Sequence, residues 1–279
     1  MEKNVNLLKE VLSVPTKTYN EYLMIQFLTD WLEENELNYY IDNMYNIYVT
    51  KTEHEIIPDD FYFPCVVAHT DTVHVIEPIN IEHERLPNAQ GEIKDALKAY
   101  NDFGNPTGIG GDDKCGIFAC LELIKKLPNI KAGFFVSEET GCHGSLKADK
   151  EFFKDVGYVL EFDAPYNWMV SEICSGVRLF NRESDFFVKC NDVLSKNMNK
   201  RDMRYMSNPY TDVYALKKQF DFSCINFSIG YYNYHTREEY VIIDDVFNGI
   251  KIGEEMIKSL GNKKYHYKYK DIFYDDFII

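Results

Sequence analysis

The segment Phe61-Tyr-Phe-Pro-Cys-Val-Val-Ala68 is apolar at nearly every position rather than at alternate ones, and no other feature constrains the fold as much. Alternation marks a strand with one wet face, whereas an unbroken apolar run marks a strand covered on both. Such a strand belongs inside a sheet that is sandwiched between helices. The residues that follow, His69-Thr-Asp71 and then His74, break the pattern. An unpaired buried charge costs several kcal/mol, so something at the tip of this strand must satisfy an imidazole and a carboxylate.

Elsewhere the spacing of apolar residues predicts helices over 4–12 and 20–37, with Thr16, Thr18 and Asn20 as caps between them. Short strands are expected at 39–41 and 46–50, about the turn Asp42-Asn-Met44. From Asn80 to Gly111 the chain is charged and irregular, as expected of a functional loop. Helices over 115–127 (stopped by Pro128), 144–153, 210–220 and 246–260 then alternate with strands over 132–136, 158–162 and 223–229. This alternation predicts an α/β fold, a three-layer α/β/α sandwich with a mixed, mostly parallel central sheet. One main domain is expected from 279 residues. The aromatic tail over 263–279 is expected as an arm or strand on the body or on another subunit, or as disorder.

Lys and Arg number 30 against 45 Asp and Glu, a formal charge of −15, which argues against nucleic acid or an anionic membrane as partner. No apolar run approaches the roughly 18–20 residues of a bilayer span. Met1-Glu-Lys-Asn-Val5 lacks the layout of a signal peptide, so a cytoplasmic protein is expected. The seven cysteines lie mostly in apolar segments and form no C-x-x-C pair. Reduced core thiols are therefore expected, rather than disulfides or a thiolate zinc site.

Chemistry-bearing residues stand just past the apolar runs. His69-Thr-Asp71 follows the first; Gly108-Ile-Gly-Gly111 runs into Asp112-Asp-Lys114 at a helix start; Ser137-Glu-Glu139, Asp163 and, after Gly230, His235 complete the series. Ligands bind at the carboxyl ends of strands in open α/β sheets. Imidazoles and carboxylates together suit two divalent ions, zinc first, with cobalt or manganese also admissible. One carboxylate would lie between the ions, and one of two adjacent glutamates would serve as base toward a water molecule while its neighbour ligates. Each residue alone has a plainer reading: His69 as a core histidine, Asp112-Asp113 as a helix cap, Glu138-Glu139 as a solvated pair, Asp163 as a turn residue, His235 in an aromatic surface cluster. The ordered set is harder to assign that way. His74 and His143 are further near-site candidates.

His69-Thr-Asp71, Gly110-Gly-Asp-Asp-Lys-x-Gly116, Glu138-Glu-x-Gly141, Asp163 and His235-Thr-x-x-Glu-Tyr240 resemble, in order, the motifs of the peptidase T-like family of co-catalytic zinc peptidases, relatives of aminoacylases and carboxypeptidases. The match runs from the N-terminal helices to about Leu260. The resemblance implies that Asp112 bridges two metal ions, that His69 and Asp163 complete one site and Glu139 and His235 the other, and that Glu138 is the general base. It implies that Asp71 holds the far nitrogen of His69, and that the Asp112–Asp113 peptide is cis. The implied activity is exopeptidase cleavage of short peptides, with a water activated by two zinc ions. The excess of site carboxylates favours a substrate amine and hence an aminopeptidase. The alternatives are an N-acyl-amino-acid amidohydrolase and a non-catalytic metal- or peptide-binding protein.

One departure stands out. Members of the family insert a lid domain between the equivalents of Asp163 and Asn208-Pro-Tyr-Thr-Asp212, which here are only 45 positions apart. Residues 1–262 are therefore expected to form a single catalytic domain, with a short insertion over 170–205, reduced to a strand or hairpin around Asp185–Cys190, in place of the lid. In the family the lid supplies dimer contacts and a histidine that stabilises the oxyanion. Tyr210, Tyr231, Tyr232 and Tyr234 are the phenolic donors that could replace that histidine. A small peptide is the expected partner, and the oligomeric state is left open.

Overall fold

A computed structural model describes residues 4–198 and 202–268. Helices α1 (Val5–Ser13) and α2 (Tyr22–Glu34) lead into β1 (Asn38–Ile41), β2 (Ile47–Lys51) and β3 (Phe63–His69). The hairpin β4 (Asn80–Pro87) and β5 (Ile93–Tyr100) precedes α3 (Gly111–Lys126) and β6 (Ile130–Phe135). A 3-10 turn at Ser145–Lys147 and the short α4 (Lys150–Phe153) are followed by β7 (Val156–Ala164), β8 (Met169–Cys174) and β9 (Val177–Arg178). The chain continues through α5 (Asp185–Asn197), β10 (Arg204–Asn208), α6 (Asp212–Gln219), β11 (Ser223–Ser228), β12 (Tyr231–Tyr232), β13 (Tyr240–Ile242) and α7 (Ile243–Leu260). Among the described residues no helix is long and apolar enough to cross a membrane.

The fold is of the expected α/β class. The central sheet runs β1-β2-β6-β3-β7-β11-β8-β10, with β9 paired to β8. Its middle strands β6, β3, β7 and β11 are parallel to one another, and every residue of β3, β6 and β11 is buried. That burial on both faces is why β3 is almost wholly apolar, while the polar residues of β6 and β11 are held by partners inside, as Lys131 is by the Phe152 carbonyl at 2.6 Å. Helix α3 packs on β3 and β7 with α1 and α7 against it, while α6 packs on β3, β7 and β11. Because the middle strands are parallel, their carboxyl ends fall along one edge of the sheet. The loops after β3, β6 and β7 and the segment after β11 therefore open at the same place.

Several expectations need correction. Half of the stretch from Asn80 to Gly111 is not loop: β4 and β5 pair antiparallel and join β13 and β12 in a second, four-stranded sheet. Charged residues crowd the open face of β4 and hide its alternation, while Ala96, Leu97 and Ala99 of β5 are fully buried. Asn88 closes the turn by accepting the amides of Gln90 and Glu92. Asp185–Cys190 forms helix rather than hairpin. Ser184 caps it through the Phe187 amide, and Phe186, Cys190, Val193 and Leu194 recur at helical spacing as its buried face, which packs on α7. The 170–205 segment thus adds strands to the central sheet and a helix to the layer beside it.

Thr16, Thr18 and Asn20 do not cap α2, which begins after Glu21 with no side-chain cap. Thr16 donates to the Thr70 carbonyl and Thr18 to Asp71 Oδ2, both at 2.7 Å. The helix expected over 144–153 splits into a 3-10 turn and α4, because Ala148 and Asp149 are extended and Asp149 caps α4. Tail residues up to 268 lie on the body, with Tyr265 bonded through its backbone to Gly157 and Ser223. The expectation for the tail beyond 268, and that for residues 1–3, lie outside the described residues.

Helix α7 lies so close to the sheet that a Cβ on Gly253 would meet the Phe162 ring at 2.7 Å. Gly253→Val should lower stability by about 1–3 kcal/mol through overpacking. Urea denaturation of the variant against the parent measures it, and an unchanged midpoint would contradict the packing described.

Candidate metal centre

The centre is built from the tip of β3 outward. His69, 1% exposed, places Nε2 3.1 Å from Asp112 Oδ1. The other oxygen of Asp112 lies 3.2 Å from His235 Nε2, which is also 3.0 Å from Glu139 Oε2. Asp112 thus stands between two imidazoles with one oxygen toward each. Donor atoms of His69, Asp112 and Glu139 lie within 4.8 Å of one another. Asp163, near the end of β7, lines the same cleft as Asp112 and accepts the Tyr231 hydroxyl at 3.0 Å. The structure therefore gathers all five side chains named as ligands from the sequence. The Asp112–Asp113 peptide is cis.

Glu138 is buried beside them. Its Oε2 is 4.0 Å from His69 Nε2, and its Oε1 accepts from the Cys142 thiol at 3.5 Å. Asp71, fully buried, is a hub for this loop. Its carboxylate accepts the amides of Glu138 (2.9 Å) and Glu139 (3.3 Å) and the Thr18 hydroxyl. Toward His69 Nδ1 it offers a backbone carbonyl at 3.0 Å and a carboxylate oxygen at 3.4 Å. Asp113 does similar work on the other side, accepting the His69 amide with one oxygen and the Gly116 amide with the other.

The concentration of carboxyl groups shows in their acidities. Burial holds Glu138 well above the ordinary carboxylate range, with His69 pulling the other way and Asp163 and Asp212 reinforcing the rise. Burial and the neighbouring Asp112 likewise raise Asp163. For Asp112 burial also pushes upward, but hydrogen bonds from His235 and His69 outweigh it and leave the group strongly acidic. The same bonds to Asp112 and Glu139 push His235 up to about 10. Glu139 Oε1 is buried without a hydrogen-bond partner among the described residues. An orphaned anionic oxygen, a carboxyl pair forced close together and two imidazoles facing carboxylates form a donor set that divalent cations fit.

Several residues that hold the centre in place were not legible as such. Glu239, fully buried, accepts the amides of Gly110 (2.9 Å) and Asp112 (3.2 Å) and pairs with His74 Nε2 at 2.5 Å. It shapes the turn where Gly110 takes a left-handed φ of 67°, a conformation open to glycine. Glu21 accepts the amide and hydroxyl of Ser137. Glu239 had a signal, as a charged residue directly before the apolar run Tyr240-Val-Ile. Thr18 and Glu21 had none beyond their place before a helix. His143 lies against Tyr19. Of the four tyrosines considered, Tyr231 and Tyr232 have hydroxyls already donated, to Asp163 and Asp245. Tyr210 and Tyr234 line a cleft of about 270 Å³ that opens on Asp112, Glu138, Glu139, Asp163 and His235.

No family model matches the chain. Over 142 residues, 49% of its length, it is 28% identical to a probable carboxypeptidase from Aspergillus clavatus, a match that takes in 32% of that protein. Among solved structures, aminopeptidase PepT from Bacillus cereus is similar with a TM-score of 0.72 at 13% identity, covering 93% of this chain and 98% of that one. A tripeptidase from Staphylococcus aureus gives 0.71 at 14% identity, over 92% and 97% of the two chains. At these identities the likeness establishes a shared fold.

Asp71→Asn tests the hub. An amide nitrogen in place of one oxygen faces a buried N–H, and an orphaned buried donor costs about 1–3 kcal/mol. A loss of that size in chemical denaturation is expected; a neutral substitution would mean that the 137–142 loop does not depend on Asp71.

Proposed function

We propose that this chain, which has the fold of two bacterial peptidases and a cluster of imidazoles and carboxylates at its sheet edge, is a metal-dependent exopeptidase that removes residues from the amino end of short peptides. The observation that carries the reading is Asp112 set between His69 and His235, with buried Glu138 alongside. His69 with Asp163, and Glu139 with His235, would each hold one divalent ion, with Asp112 shared; zinc suits the donors first. Such ions supply Lewis-acid polarisation of a carbonyl and acidification of a water molecule.

Glu138 takes a proton from the water that attacks the scissile carbonyl and returns it to the departing amine. Its raised proton affinity suits a group that must both accept and donate near neutral pH. The Cys142 thiol on Oε1 leaves Oε2 turned toward His69. Tyr210 and Tyr234 are the hydroxyls left to meet the developing oxyanion, as Tyr231 and Tyr232 are engaged.

Two features support action at a chain end. The cleft, at about 270 Å³, is smaller than the roughly 300–1,000 Å³ of sites that enclose drug-sized ligands, and suits one residue of a peptide. No Lys or Arg is among its lining residues. A free substrate carboxylate would find no Lys or Arg to pair with there, whereas an ammonium group would meet carboxylate oxygens. Residues 1–262 are read as one catalytic unit, with 170–205 built into it.

Glu138→Gln should retain the parent's metal content and lower kcat by about 10²–10⁴-fold. Activity that survives the substitution would remove Glu138 from the role. Elemental analysis should find two divalent ions per chain, and a chelator should abolish turnover that zinc, cobalt or manganese restores. Acetylating the amino terminus of a tripeptide should stop cleavage while amidating its carboxyl terminus should not. The reverse result would turn the reading toward a carboxypeptidase or an amidohydrolase.

A further inference from the structure

We infer that the part of the cleft away from the carboxylates is a side-chain pocket that selects a bulky uncharged residue, aromatic or aliphatic, at the substrate's amino end and rejects an acidic one. This rests on the exopeptidase reading and deepens it. Three loops supply the wall: Pro165 and Met169 where β7 turns into β8, Pro209 and Tyr210 between β10 and α6, and Tyr234 between β12 and β13. All five present apolar or aromatic surface.

The amide of Asn208 and the hydroxyl of Thr211, which also line this wall, are already engaged. Asn208 Nδ2 donates to Ser171 Oγ at 2.6 Å and to the Met169 thioether at 3.3 Å, and the Thr211 hydroxyl donates to Cys174 Sγ. The Pro165 carbonyl accepts from Ser228 at 2.6 Å, which pins the first loop. A side chain entering here therefore meets carbon, sulfur and ring faces, with the Tyr210 and Tyr234 hydroxyls as the polar groups left in the wall. The tyrosine rings at 210 and 234, each 41% exposed, leave faces free for contact. The rest of the lining is Tyr231 and the metal-centre residues Asp112, Glu138, Glu139, Asp163 and His235, with no Lys or Arg. An aspartate or glutamate side chain would be desolvated against this apolar wall with no Lys or Arg in the lining to pair with. Removing contact from a hydrophobic specificity pocket costs about 10–200-fold in kcat/KM.

The test is a series of zinc-loaded hydrolyses of X-Ala-Ala tripeptides with Phe, Leu, Met, Ala, Asp and Glu at X. We expect kcat/KM for Phe, Leu and Met to exceed that for Ala by about tenfold or more, with Asp and Glu lowest. Met169→Arg, which places a cation in the wall, should raise Asp and Glu relative to Phe. Acidic peptides cleaved by the parent as fast as Phe-Ala-Ala would overturn the inference whether or not the variant folds. If no tripeptide is cleaved, the exopeptidase reading is what fails, and the pocket is read by binding instead. Thermal stabilisation of the zinc-loaded protein by L-phenylalaninamide but not by the α-amide of L-aspartate supports it, and equal or reversed effects overturn it.

Discussion

Everything at the sheet edge depends on one constraint: Asp112, Glu138, Glu139 and Asp163 are brought together in or beside the interior, where their charges repel and water screens them weakly. A fold that does this must provide positive charge or hydrogen-bond donors within reach. The structure shows how the donors are arranged. Asp112 takes an imidazole on each oxygen, Asp163 takes a phenol, and Glu139 keeps one oxygen bare. The bare oxygen and the crowded carboxyl pair are what make cations the natural completion of this set.

A second tier of carboxylates holds the first in place, and it acts mainly on backbone. Asp71 binds the amides of Glu138 and Glu139, Glu239 those of Gly110 and Asp112, and Asp113 those of His69 and Gly116. Each buried carboxyl group thereby turns a loop so that its N–H groups point inward. Each such bond satisfies a buried N–H that would otherwise be left unpaired at a cost of about 1–3 kcal/mol. The loops that carry the chemistry are shaped by these anions as much as by their own sequences, which is why the residues that aim the site are scattered from Thr18 to Glu239.

Legibility followed the range of the interactions that fix each element. The buried strands and the helices over 115–127 and 246–260 were readable because burial imposes a pattern on consecutive residues. The hairpin of β4 and β5 was not, since its strands rest one face in water and Lys, Glu and Asp obscure the period. Helix α5 is a different case: the short gap between Asp163 and Asn208 suggests a remnant hairpin, whereas its Phe186, Cys190, Val193 and Leu194 stripe carries helical spacing. At the centre, ligand-type residues stood out at strand ends. Their supports Thr18, Glu21 and Cys142 did not, because a hydroxyl, a carboxylate or a thiol has no distinctive spacing when its partner lies 53, 116 or 4 positions away.

The amino-acid order by itself determined the α/β class, the parallel core and the places of His69, Glu138, Glu139, Asp163 and His235 at or beyond strand ends and of Asp112 at a helix start, because burial periodicity and position at an element's end are local properties. Only the tertiary structure decided that one Asp112 carboxylate faces both imidazoles, that Tyr231 and Tyr232 are engaged while Tyr210 and Tyr234 face the cleft, and that the segment over 170–205 joins the sheet. Those outcomes depend on which distant groups meet across the sheet edge, and each was settled by packing and by the pairing of buried charge, which act between residues with no fixed separation along the chain.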